Sequence, residues 1–332
     1  MPRVAIVITA KNEERLLKQN LRYHFALGIH KAFVYFDGVT DNGPETIKNL
    51  PRVVAQNSVE PEKYKHLENL SKFTSNANEH HTARQCLNTY DAMLKCKRDG
   101  IDWLISIDAD ELFYPGSDIK DLSVFFDALE AYDVIKLPPL EIINRKMTYT
   151  NVMLEESLFK TKKNFKSRLD QIYFDIKNPY GNKSFTISYW LGHTMGKCIL
   201  NVKSDIIPKN VHRYETKDNT KIKSITKGNI LHYHMYDFED FIKKFKNFEH
   251  HPPVFLSGNE IGSLKSLWIQ LVNDPKMTKE QLKEYYKKNL LFNEKKLKRL
   301  NKTRLFNLVR RKEKAIVEIK LPRQILSNIK HD

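Results

Sequence analysis

Glycine is sparse in this chain, 11 residues in 332, and the sequence holds neither a GxGxxG string nor a P-loop. That counts against a nucleotidyltransferase on a related α/β sheet, which usually brings a glycine-rich loop to cradle phosphates. Cysteine is scarcer still. Cys86, Cys96 and Cys198 are odd in number and form no CxxC pair, which argues against a disulfide framework or a thiolate zinc site and predicts plain thiols in a reducing compartment. Long apolar runs are missing as well. The first one, residues 4–10, is too short for a signal-peptide core and far too short to span a bilayer. The expectation is a soluble or peripheral protein, cytoplasmic or at the inner face of a membrane. With 41% hydrophobic residues the chain has enough apolar side chain for a core, which excludes a disordered protein.

Charge is abundant but unevenly placed. The formal net charge is +16, and residues 276–332 hold 18 Lys+Arg against 6 Asp+Glu, so that segment carries +12 and the first 275 residues only +4. The body is nearly balanced and lacks the basic stripe with stacked aromatics that nucleic-acid-binding proteins use, so no nucleic-acid partner is expected. Residues 278–300 are lysine-rich and amphipathic, with Leu282, Tyr286 and Leu290 on one face. Such a basic helical tail can lie on an anionic membrane or pack on the body with a solvated lysine face.

The first 140 residues alternate short apolar runs with amphipathic stretches, as a sheet with crossover helices does. Strands are expected at 4–8, 32–36, 53–56, 103–107 and 134–137, and helices at 13–27, ended by Gly28, and around 83–97. From 150 to about 230 the pattern weakens to strand-like pieces at 171–176, 184–190 and 198–203.

The most informative residues are DADE at 108–111, directly after the 103–107 strand. In an extended backbone alternate residues point the same way, so Asp108 and Asp110 would present two carboxylates on one face beyond a strand's carboxyl end. Two hard oxygen ligands suit Mg²⁺ or Mn²⁺, with a nucleotide's diphosphate completing the shell. A divalent cation there would stabilise the charge on a departing nucleoside diphosphate. Acids after a strand also serve as turn formers and helix caps.

Other pieces occur in order around that cluster: TAKNEE at 9–14, Leu17, Tyr23-His24, Leu27-Gly28, Asp37-Gly38 with Thr40-Asp41, Arg84-Gln85, and WLISIDADELF at 103–113. From residue 3 to about 115 the chain resembles the family 2-like and family 92 glycosyltransferases. A looser likeness continues at Gly196-Lys197, Val211-His212 and ILHYH at 230–234. The resemblance implies a GT-A fold, a Rossmann-like mixed α/β sheet flanked by helices. It implies a catalytic domain over 1–275, with a nucleotide-binding half at 1–115 and an acceptor half at 116–275, followed by the basic tail at 276–332.

The implied partners are a nucleotide-sugar donor, a UDP-sugar, and a glycan or lipid-linked acceptor. By position, Thr9, Asn12 and Glu13 would lie by the nucleotide, Asp37 would bond the base, and Arg84 and Lys197 would hold the donor or its diphosphate. Asp108 and Asp110 would hold metal and ribose, and His232 would be a late metal ligand. His80-His81 and His250-His251 read as surface pairs. An inverting reaction needs an Asp or Glu to take the acceptor's proton. Glu141, Asp170, Asp205 and Asp237 are all eligible by position, and nothing in the sequence ranks them. The alternatives to an enzyme are an inactive binding module on the same fold and a basic nucleic-acid-binding protein, which would account for the +16 charge but not for Asp108 and Asp110 after a strand.

Overall fold

The apolar VAIVITA run folds as strand β1 (Val4–Ala10), buried along its whole length. In this computed structural model, which describes residues 2–117, 121–161, 195–249, 263–300 and 316–330 with isolated positions in 169–176 and 252–261, the chain divides into two compact units. The first is assembled from Met1–Pro138, Met195–Leu231 and Leu321–Asp332.

After β1 comes helix α1 (Glu14–Leu27), which turns Leu16, Leu17 and Leu21 inward at helical spacing. Gly28 stops it in the left-handed region at φ 106, with its N–H returned to the last turn. Strands β2 (Lys31–Phe36) and β3 (Val53–Asn57) follow, then the long helix α2 (His81–Asp99) and strand β4 (Trp103–Ile107). β5 (Glu111–Tyr114) begins after three intervening residues, and β6 (Val134–Leu137) closes the first stretch. The returning chain adds β7 (Lys197–Asn201) and β8 (Ser224–Thr226).

The main sheet has the order β8-β6-β7-β4-β1-β2-β3. β4, β1, β2 and β3 run parallel, and β7 runs antiparallel to both β4 and β6. This is a mixed α/β sheet flanked by helices. Its core includes Ile6, Ile8, Val34, Ile105, Ile107 and Phe125, all essentially without solvent contact. Parallel strands share a direction, so β1, β2 and β4 all end at one edge of the sheet, where crossover loops leave room for a ligand. The terminal helix, Arg323–Lys330, packs on α1 and buries Ile325 and Ile329.

The second unit comprises Pro139–Thr194 and His232–Lys320. Strand Leu158–Lys160 pairs antiparallel with both Pro139–Ile142 and Ile316–Glu318. Helices Phe238–Lys246, Ser263–Asn273 and Lys279–Asn289 pack around an aromatic core of Phe241, Phe245, Trp268 and Tyr286.

Two expectations change here. The helix expected over 278–300 is two helices: Thr278 and Gln281 form a capping box at the start of the first, and Asn293 takes the Lys296 N–H at 2.9 Å to start the second, Glu294–Leu300. The boundary expected at 275 falls inside a packed core, because Leu282, Tyr286, Leu290 and Ile316 bury against Phe241 and Trp268. Apart from isolated positions in 169–176, the strand-like pieces at 171–176 and 184–190 lie outside the described residues, as do Asp170, the His250-His251 pair and residues 301–315 of the basic tail. Among the described residues no helix is long and apolar enough to cross a membrane.

Candidate active site

β4 ends at Ile107 and the chain turns at once. Glu111 N–H donates to Asp108 O at 3.1 Å, and the Glu111 carboxylate folds back to accept the Asp108 N–H at 2.8 Å. Residues 108–111 are therefore a tight turn and not the extended segment expected. Alternation does not set their side chains; the turn does, leaving Asp108 39% exposed while Asp110 is only 4% exposed.

Lys197, at the start of β7, brings a cation to this turn, with Nζ 2.8 Å from Asp108 Oδ2 and 3.6 Å from Glu111 Oε2. Burial disfavours the ammonium, but Asp108 and Glu111 outweigh it and hold Lys197 above the ordinary lysine range. Expected to face a diphosphate, Lys197 is instead 2% exposed and committed to the carboxylates. Gly196 makes that placement feasible, since a Cβ there would lie 1.7 Å from Leu137 O on β6.

Helix α2 turns a polar stripe to the same edge. His81, Arg84, Gln85 and Asn88 recur at helical spacing, and each makes a site contact. Gln85 Nε2 donates to Asp108 Oδ1. Asn88 Nδ2 donates to Thr9 Oγ1 and Ser58 Oγ, each at 3.1 Å, while its Oδ1 accepts Val59 N–H at 2.9 Å. Arg84 grips Asp37 with both arms of its guanidinium, Nε on Oδ1 at 2.5 Å and Nη2 on Oδ2 at 2.9 Å. His81 Nδ1 also donates to Asp37 Oδ2, and Ser58 Oγ donates to Oδ1 at 3.1 Å. Burial alone would raise the Asp37 pKa, but the hydrogen bonds from His81 and Arg84 prevail and hold the carboxyl well below its usual range.

The surface-pair reading of His80-His81 is thus corrected: His80 is buried and His81 is half-buried on Asp37. Arg84, expected on the donor, is committed to Asp37 and to Ala77 O. Asp37 borders a cavity of about 550 Å³ lined also by Phe36, Val39, Ser58, Pro61 and Arg84.

The loops after β1 and β2 are tied together. Asn12, in the left-handed region at φ 57, accepts Thr40 N–H on its Oδ1 at 2.8 Å. Glu14 bonds the β2 loop twice, giving its N–H to Asp41 Oδ2 at 2.8 Å and accepting Asn42 N–H on its Oε2 at 2.9 Å. Glu13 is the residue before α1, and its carbonyl accepts from Leu16 and Leu17. Thr9, Asn12, Asp37, Arg84, Asp108, Asp110 and Lys197 all belong to the first unit.

In the second unit, His232 Nδ1 bonds Glu141 Oε1 at 2.8 Å, and Lys160 Nζ stands 3.7 Å from Glu141 Oε2; all three side chains are buried. Burial pushes Lys160 down to about 8 despite the Glu141 charge. The His232 and His234 rings lie 5.1 Å apart. Asp237 is fully buried at the N-terminus of Phe238–Lys246, where it accepts from Asp240 N–H at 2.9 Å and Tyr149 N–H at 3.2 Å. Its role there is a helix cap. Asp205 is exposed and paired with Lys217 at 2.6 Å.

The sequence reading missed Gln85, Asn88, Ser58 and His81 as site residues. Their signal was present in the 81, 84, 85, 88 spacing, a polar stripe on a helix that also has a buried apolar face.

Two glycosyltransferase-like proteins of Arabidopsis thaliana are similar to this chain. One is 25% identical over 242 residues, 67% of this chain and 51% of the relative. The other is 28% identical over 167 residues, 48% of this chain and 31% of the relative. The chain thus spans about half of the first relative's length and under a third of the second's. Among solved structures, S. aureus TarS 1–349 is 12% identical with a TM-score of 0.33, covering 91% of this chain and 80% of that one. Glucosyl-3-phosphoglycerate synthase from Mycobacterium tuberculosis, in complex with Mn²⁺ and UDP-glucose, is 13% identical with a TM-score of 0.27, covering 42% and 44%. Residues 9–257 match the sequence pattern of glycosyltransferase family 92, a span that includes both the carboxylate turn and the Asp37 cavity, and the chain belongs to that family.

Proposed function

We propose that this chain is a GT-A-type enzyme that transfers a sugar from a nucleotide-sugar donor, a UDP-sugar, to a glycan or lipid-linked acceptor, with inversion at the anomeric carbon and with Mn²⁺ or Mg²⁺ bound. The observation that carries this reading is the carboxylate turn at 108–111, which follows β4 at the same sheet edge where Asp37 follows β2 beside its cavity. The cavity takes the nucleobase, and the braced loops holding Thr9, Asn12 and Glu13 flank the nucleotide. Arg84 fixes Asp37. Gln85 and Lys197 fix Asp108, and Lys197 offsets part of the acidic charge of the turn.

Asp108 and Asp110, both in the first unit, are the proposed metal ligands. Two carboxylates make a hard donor set that suits Mn²⁺ or Mg²⁺. When bound, the ion stabilises the negative charge that develops on the departing nucleoside diphosphate. The lysine-rich face of the C-terminal segment is proposed to touch an anionic membrane, which anionic against neutral liposome sedimentation checks.

The deciding experiment is hydrolysis of a panel of nucleotide sugars by the full chain, with and without Mn²⁺. Turnover of a UDP-sugar that needs the metal and disappears in Asp110→Ala supports the enzyme. Tight donor binding with no turnover of any sugar would replace it with a binding module on the same fold.

A further inference from the structure

We infer that Asn20 and His24, on the buried side of α1, are positioning residues that hold Asp110 in place by gripping the backbone around it. The inference rests on the reading of Asp110 as a metal ligand given above. The Asn20 side chain gives one amide hydrogen to Ala109 O at 2.9 Å and the other to Glu111 O at 2.7 Å. These two carbonyls belong to the peptide planes just before Asp110 and just after Glu111. With both drawn to one nitrogen, the backbone dihedrals of the two acidic residues between them are fixed.

His24 locks the amide in turn. Its Nδ1 bonds Asn20 Oδ1 at 2.9 Å and Asn20 O at 2.8 Å, and its Nε2 bonds Phe113 N at 3.1 Å. A backbone N–H can only donate, so Nε2 is the acceptor and Nδ1 carries the proton. That assignment makes Asn20 Oδ1 an acceptor, which leaves its nitrogen facing the two carbonyls. Tyr23 adds a third tie, from its hydroxyl to Phe113 O at 2.8 Å. Asn20 and His24 are wholly buried, and burial keeps the imidazole neutral, as acceptance at Nε2 requires.

A leucine at 20 would pack α1 on the sheet without desolvating an amide, and would withdraw these donors from both carbonyls. Polar groups buried this deeply beside a ligand-bearing turn supply the preorganisation that a metal site needs, with its donor atoms held to about 0.5 Å.

The test uses the full chain with Asn20→Ala, Asn20→Leu and His24→Gln. Mn²⁺ is titrated in the presence of UDP by the electron paramagnetic resonance signal of the free ion, well below each variant's melting temperature, and amide hydrogen exchange is followed in parallel. The Asn20 variants are expected to weaken Mn²⁺ binding about tenfold or more and to speed exchange selectively at residues 109–113, with β1 and β2 unchanged. His24→Gln, which keeps an acceptor near Phe113 N, is expected to show the same change in smaller degree, and it serves if the Asn20 variants do not fold. Unchanged Mn²⁺ affinity in a folded variant overturns the inference, even if exchange in the turn rises. Asp110→Asn is the reference. If the unaltered chain binds Mn²⁺ no better than this variant, the metal reading has failed, and the exchange data still decide whether Asn20 fixes the turn.

Discussion

His232 gives its Nδ1 proton to Glu141 Oε1 across 2.8 Å, while the second oxygen of Glu141 faces Lys160 Nζ at 3.7 Å. With Nδ1 held this way, Nε2 is left as the acceptor of the His232 ring. Two roles for Glu141 are separated by Glu141→Gln, which keeps an acceptor but removes the charge opposite Lys160. If Glu141 only satisfies these buried neighbours, the variant should lose about 1 to 3 kcal/mol in urea unfolding with kcat intact. If it takes the acceptor's proton, kcat should fall about 100-fold or more with stability little changed.

Asp37 accepts four hydrogen bonds, two at each oxygen, from Arg84, Ser58 and His81. A carboxylate has about four lone-pair sites, so a nucleobase N–H reaches Asp37 only by displacing a donor. His81 is the most exposed of the charged or ionisable partners, with its side chain 34% exposed against 23% for Arg84. His81→Ala should therefore tighten UDP binding roughly three- to tenfold, the worth of one hydrogen bond. A tenfold loss in calorimetry would show instead that His81 touches the nucleotide itself. Arg84→Lys, which loses the two-armed grip, should weaken binding.

Burial pushes the His24 pKa from 6.5 down to about 4. The unfolded chain then binds the extra proton between those values and the folded chain does not, so stability is complete above about pH 6.5 and falls as pH drops toward 4. At roughly 1.4 kcal/mol per unit, the loss approaches about 3 kcal/mol. Urea unfolding of the unaltered chain and of His24→Gln at pH 7 and pH 5 checks this. The gap between the two should narrow at pH 5, and an equal pH response in both would contradict it.

Gly196→Ala would set a Cβ 1.7 Å from Leu137 O, a clash with backbone that no rotamer relieves. The expected loss is about 3 kcal/mol or more, at the top of the overpacking range, with β7 displaced and Lys197 drawn off Asp108. Thermal unfolding reads the first effect. A drop in donor affinity larger than that of Lys197→Met would show that β7 as a whole has shifted.

The first half of the fold was legible because buried parallel strands read as continuous apolar runs; β1, β2 and β4 lie where those runs are, and α1 stops at Gly28. The acidic cluster was visible in the sequence but its shape was not, since a strand's alternation says nothing once Glu111 closes a turn on Asp108. Lys197 was recognisable only as one cation among many, because its partners come from a strand far back in the chain. The α2 stripe was missed because polar residues on a helix normally face water. In the C-terminal segment the Leu282–Tyr286–Leu290 face was visible, but not the aromatic helices that cover it.

The first unit is knit from three separate lengths of chain. β7, the filler between β4 and β6, arrives after a long excursion, and the helix Arg323–Lys330 closes over α1 from far along the chain. A truncated product ending at residue 138 would therefore present β4 and β6 as bare, unpaired borders prone to self-association. Pairings so distant in sequence also slow the search for the native arrangement. The unit therefore cannot close until Arg323–Lys330 has been made, although its first strand is made long before, and a chain cut short ahead of residue 323 would leave α1 without the cover of Ile325 and Ile329.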